Sequence, residues 1–104
     1  MDWLYLIIAG VLEIAWAVGL KYTDGFTRPW PSILTGLAMV ASFYCLAQAL
    51  KTIPVGTGYA VWTGIGAFGT AILGIFLFAE SATALRLTAL ALIVLGIVGL
   101  KIAS

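Results

Sequence analysis

The sequence predicts an all-α membrane protein built from four short transmembrane helices, and three observations carry that expectation. Apolar residues make up 63% of the chain and charged residues only 9%, against about 25% charged in a soluble domain. The apolar residues fall into four runs separated by short polar turns. Ionisable residues gather near the ends of those runs, with one exception, Glu13. A soluble fold of 104 residues could not hide so much apolar surface, because small domains have a high ratio of surface to volume.

The first run extends over residues 3–20 and is broken only by Glu13. It opens on Met1-Asp2 without a basic stretch, so it reads as a retained helix and not a cleaved signal. Asp24-Gly25 marks the first loop, which Pro29 and Pro31 close. The second run covers 33–50, with Ser32 as an expected helix cap. Lys51 to Pro54 forms the second loop. The third run, 55–79, carries no charge at all. Glu80 to Thr83 is the third loop, and the fourth run spans 83–101. That run reaches spanning length, roughly 20 residues, only if Arg86 and Lys101 extend their charged ends to the interface. Trp3, Tyr5, Tyr22 and Trp30 lie near helix ends, as an aromatic belt does. Loops this short leave the whole chain, 1–104, as a single transmembrane domain.

Several function classes fall away. A net charge of +1 makes no electrostatic case for nucleic acid. With no histidine and a single cysteine, Cys45, neither a metal site nor an intrachain disulfide is expected. No nucleophile–base pair or cofactor motif is visible, so no cofactor is expected and an enzyme is disfavoured.

Glu13 remains. It lies ten residues beyond Trp3, about 15 Å along a helix and therefore near the bilayer midplane. An ionisable group there costs roughly 2.5–3.5 kcal/mol on insertion scales. No basic residue lies within the interior of any run to offset it. One reading is a neutral carboxyl bonded between helices. The other is a carboxylate open to a water-filled cavity. Because a proton and a cation both neutralise a carboxylate, they would compete for that site, which is the minimum machinery for exchange.

Helical spacing places Leu6, Ala9, Gly10, Trp16, Ala17 and Leu20 on the face of Glu13. Gly10 leaves room one turn before it, and Trp16 offers an aromatic wall one turn after. In the second helix Thr35, Ala38, Ser42, Cys45 and Ala49 form a small, mildly polar stripe. This stripe suits either close helix packing or a cavity wall at Ser42. In the third, Tyr59, Trp62, Thr63 and Gly66 share a face; the rings can hold a cation or bond a carboxylate. Gly64, Gly66, Gly69 and Gly74 suggest close backbone approach or a flexible kink. The fourth helix carries Gly96 and Gly99 among Leu, Ile and Val, as a packing or dimerisation helix would.

An even number of spans puts both termini on one side. Lys51 and Lys101 then face Lys21, Arg28 and Arg86, and the α-amino group evens the balance. Charge thus barely biases orientation and leaves two readings open: a chain that inserts one way for other reasons, and dual topology, with half the copies inserted each way up. One chain with one carboxylate does not easily enclose a path. Two copies inserted in opposite senses would reproduce the inverted repeats of many transporters. An antiparallel homodimer with two Glu13 side chains facing one chamber is therefore expected.

Glu13, Lys21-Tyr22, Gly25-Phe26-Thr27-Arg28, Pro31-Ser32 and the run from Pro54 through Ala67 together resemble the small multidrug resistance family, along essentially the whole chain. Trp16, Trp62-Thr63-Gly64-Ile65-Gly66-Ala67, Glu80-Ser81 and Gly99-Leu100-Lys101 look most like its guanidinium exporter subtype. Gly58 and Phe68 depart from that pattern. The resemblance implies a dual-topology homodimer in the bacterial inner membrane, exporting small cations against protons by alternating access. It implies substrate and proton binding at Glu13. Ser42, Tyr59 and Trp62 would orient the carboxylate, Trp16 would line the pocket, and the fourth helix would supply dimer contact. Guanidinium suits such a site: it stays charged at physiological pH and pairs with carboxylates through two parallel bonds. The alternatives are a broader exporter of quaternary ammonium cations and a non-transporting membrane assembly partner.

Overall fold

The computed structural model describes residues 2–103. They form four helices and, among the described residues, no strand: α1 (Asp2–Tyr22), α2 (Pro29–Ala49), α3 (Val55–Leu77) and α4 (Ala84–Ala103). Each is long and apolar enough to cross a membrane. Apart from the first and last turns, their backbone polar groups pair within each helix, as hydrocarbon requires.

Helix α1 is the centre of the bundle. It packs along α2 on one side and α3 on the other, while α4 leans on α3. The buried core is thin: Leu6, Ala9, Ala49, Ile53, Val61 and Trp62. Large apolar side chains such as Leu34, Leu37, Val40, Leu92 and Leu95 face outward. Lipid tails solvate such a surface without cost, so helix association must come from close packing and hydrogen bonds. The α1 seams show that packing. A side-chain carbon at Gly19 would overlap the Thr35 hydroxyl, one at Gly10 would sit 2.7 Å from Ile65 Cβ, and one at Gly69 would overlap Ile14.

Loop one reverses the chain through three successive residues of positive φ: Asp24 (48°), Gly25 (70°) and Phe26 (66°). Glycine takes that conformation freely and aspartate tolerates it; phenylalanine does so only under constraint. Thr23, fully buried, supplies the constraint. Its hydroxyl donates to the Leu20 carbonyl at 2.8 Å and accepts the Phe26 N–H at 3.2 Å. Its carbonyl accepts the N–H groups of Thr27 and Arg28.

Ser32 does not cap α2. The helix starts three residues earlier, at Pro29, with Arg28 as an N-cap that makes no side-chain cap bond. Proline at the first position has its φ preset and no N–H to leave unpaired. Ser32 is thus inside the helix, its hydroxyl turned back to the Arg28 carbonyl at 2.6 Å. Helix α3 ends as Ala79 takes a φ of 54°, and the Glu80 amide returns to the Gly74 carbonyl at 3.2 Å.

The two ends of the bundle are fastened differently. Where the N-terminal end meets loop two, the Thr52 hydroxyl donates to the Asp2 carboxylate, and Lys101 Nζ lies 4.6 Å from the Trp3 ring centre. At the opposite end Lys21 and Tyr22 both approach the Phe78 ring, and Arg86 pairs with Glu80 at 3.4 Å.

Candidate functional site

Glu13 sits midway along α1, in the seam with α3. Its carboxyl lies against the backbone of Gly66, where a side-chain carbon would overlap Glu13 Oε1 and Cδ. The glycine therefore makes the space that the carboxyl occupies. Glu13 Oε1 is buried and has no hydrogen-bond partner among the described residues. Leaving such an acceptor unpaired costs about 1–3 kcal/mol, more when it is charged.

Trp16, one turn on, is on the same helix face. Its indole N–H is likewise buried and unpartnered. Its ring packs edge-on against Phe43, with centroids 6.1 Å apart. Phe43 meets Trp62 at 5.8 Å, and Trp62 meets Tyr59 at 5.6 Å. The four rings make a continuous aromatic wall from α1 across α2 to α3. Phe43 joins its two halves and was not singled out by the sequence pattern. It lies one position past Ser42, off the polar stripe, and is about half exposed.

Ser42 is fully buried. Its hydroxyl accepts the Trp62 Nε1–H at 3.0 Å and donates to the Ala9 carbonyl at 2.7 Å. In an α-helix that carbonyl also accepts the N–H four residues on, which here belongs to Glu13. Ser42 and Trp62 are thus joined to the helical turn that carries the carboxylate. No hydrogen bond runs from Ser42, Tyr59 or Trp62 to the carboxylate itself among the described residues.

The remaining candidates divide by position. Gly10 does not open toward Glu13; Ile65 fills the space beside it. Thr63 faces away from the α1 seam, into a groove of about 740 Å³ between α3 and α4 that Tyr59, Gly64 and Gly96 also line. Gly64 accommodates Ile97 of α4, whereas Gly66 and Gly69 accommodate α1. Around Gly96 and Gly99 nothing lies within 4 Å of an added side-chain carbon. Among the described residues no cluster of His, Cys, Asp and Glu could hold a metal ion.

Four helices able to span a membrane, with a half-buried glutamate between two of them whose Oε1 has no hydrogen-bond partner among the described residues, define a multi-pass membrane protein. The profile of the family described as Small Multidrug Resistance protein matches residues 1–93. The chain belongs to that family, and it is a multi-pass transport protein of the bacterial inner membrane. Among its relatives, proteins named Guanidinium exporter from Escherichia coli K12 and Proteus vulgaris are each 62% identical to it over 104 residues. They match all of this chain, and the chain covers 99% and 100% of theirs. A Guanidinium exporter from Yersinia pestis is 61% identical over the same length.

Proposed function

We propose that the protein exports guanidinium and small substituted guanidinium cations in exchange for protons, with Glu13 binding each in turn. The observation that carries this reading is the buried Glu13 Oε1 with no hydrogen-bond partner among the described residues, one helical turn from the Trp16 ring, which suits a flat cation. A guanidinium N–H pair satisfies a carboxylate through two bonds, and ring faces attract its charge. A proton satisfies the same oxygen in the return step. The relatives' printed name supports this choice of substrate. Trp16 lines the pocket; Ser42, Tyr59 and Trp62 hold the wall and, through Ala9, the turn bearing Glu13. Gly66 gives the carboxyl its room, and Gly64 and Gly69 let α3 adjust against its neighbours.

A single copy supplies one membrane-embedded carboxylate. The working unit in this proposal is an antiparallel homodimer that pairs two Glu13 carboxylates and alternates access between the two faces of the membrane. Helix α4 supplies contact through Gly96 and Gly99.

Substrate-induced currents from proteoliposomes on a capacitive membrane sensor test the reading. Guanidinium should give a current that Glu13→Gln abolishes, since a neutral amide neither exchanges a proton nor attracts a cation. Currents only for a bulky quaternary ammonium would move the assignment to the broader cation exporter. Folded dimers giving no current with any cation would favour the non-transporting assembly partner.

A further inference from the structure

A second polar feature lies one turn from the carboxylate. Threonine and serine hydroxyls inside a helix ordinarily bond the carbonyl four residues back. Ser32 does so with Arg28, and Thr88 with Ala84 at 2.7 Å. Thr70 does not: its Oγ1 is buried and has no partner among the described residues. Forgoing that bond costs a buried hydroxyl about 1–3 kcal/mol unless solvent replaces it.

Thr70 belongs to a stripe on α3 that repeats every fourth residue, from Trp62 through Gly66 and Thr70 to Gly74. Gly66 carries the Glu13 carboxyl against it, and Gly74 carries the Glu80 carboxyl. Four residues of helix rise about 6 Å, so Thr70 stands midway between a carboxyl at the membrane centre and one at its surface. A crevice of about 360 Å³ runs from loop three to Thr70, whose hydroxyl oxygen lies just beneath its lining. Lys21, Glu80 and Arg86 stand at its outer part, Ala17, Ala67 and Thr70 at its inner part. Ala17 follows Glu13 by one turn of α1, as Thr70 follows Gly66 on α3. The crevice therefore ends one helical turn from the carboxylate. Two basic groups against one acidic group make it a poor entrance for a guanidinium ion. A buried hydroxyl with a free donor and free acceptor sites suits water.

We propose that the α1–α3 crevice is a water-bearing proton branch to Glu13, with the Thr70 hydroxyl as its innermost relay, separate from the aromatic wall that meets the substrate. This inference rests on Glu13 being the exchange site. The hydroxyl accepts a hydrogen bond from water on the Glu80 side and donates one toward water at Glu13. A proton passes by exchange along that chain, with no net change at Thr70.

Two measurements test it. In water-edited solid-state NMR of the protein in bilayers, the Thr70 methyl should receive water magnetisation about as fast as Lys21. A Thr70 methyl as dry as Leu92 overturns the proposal. In proteoliposomes under a pH gradient, Thr70→Val should slow proton-driven exchange roughly tenfold while guanidinium affinity stays within about twofold, and Thr70→Ser should restore the rate. Wild-type exchange in Thr70→Val, or a loss that Thr70→Ser does not repair, overturns it. Failure of the underlying reading looks different: Glu13→Gln would then keep its guanidinium current whatever the hydration of Thr70.

Discussion

Helices α3 and α4 are both apolar, both rich in glycine and neighbours in the bundle, yet their glycines meet opposite surroundings. In α3, a side-chain carbon at Gly64, Gly66, Gly69 or Gly74 runs into Ile97, Glu13, Ile14 or Glu80 respectively. In α4, one at Gly96 or Gly99 meets nothing within 4 Å. Only Leu90 of α4 is buried. Glycine costs about 1 kcal/mol relative to alanine in a helix interior. At these four α3 positions that cost is offset inside the chain, because neighbours occupy the room it leaves. In α4 no described residue occupies the room left at Gly96 and Gly99, which is where the proposed dimer would place its contact.

The largest effect that would break this contrast is at Gly66. Gly66→Ala should lower guanidinium transport about a hundredfold, roughly 2.7 kcal/mol, because the new methyl claims the space of the Glu13 carboxyl. Transport currents together with chromatography of the folded dimer check it. Near-normal currents would mean that the carboxyl has other room to occupy. A smaller effect sharpens the α4 side. Gly96→Leu should leave the fold of each copy unchanged but weaken dimerisation about tenfold, near 1.4 kcal/mol, as read by dilution-dependent energy transfer in liposomes. An unchanged dimer would assign that face to lipid. The smallest effect belongs to Gly58, one of the two departures from the guanidinium exporter pattern. A carbon at this buried position would overlap Leu50 Cδ2, the end of a flexible side chain, and touch Ile53 Cγ2 at 3.7 Å, while alanine is the better helix former. The helix-propensity gain of about 1 kcal/mol and the cost of displacing the Leu50 side chain, at the low end of about 1–3 kcal/mol, largely cancel, so Gly58→Ala should alter stability by no more than about 1 kcal/mol in thermal unfolding in detergent.

Composition and run length made the four helices legible, because hydrocarbon admits few other solutions for such a chain. The polar stripe of α2 was legible too: Thr35, Ser42 and Ala49 are the buried residues of that helix. The start of α2 was not, since apolarity marks the hydrocarbon segment while Pro29 starts the helix within the polar turn. Around the carboxylate, spacing grouped Glu13 with Trp16 and Tyr59 with Trp62 but could not rank the glycines. Which glycine faces α1 and which faces α4 depends on the rotation of α3 about its own axis, and an apolar helix surrounded by lipid carries no hydrophobic asymmetry to reveal it. Phe43 and Thr70 escaped for a related reason. One sits beside the stripe instead of on it, and the other is a threonine among many whose unspent hydroxyl shows only when its neighbours are in place.

The bond chain from Trp62 through Ser42 to the Ala9 carbonyl also limits how the molecule can rock. Turning α3 far enough to separate Trp62 from Ser42 would strand a buried indole N–H, at about 1–3 kcal/mol, and loosen the grip of α2 on α1. A thermal motion that exposes first one face and then the other is cheaper if α1, α2 and α3 swing as one plate. In the proposed alternating motion the joint would then fall at α4, whose packing on α3 is slighter, and the Ser42 hydroxyl, by tying three helices together, would set where the protein bends.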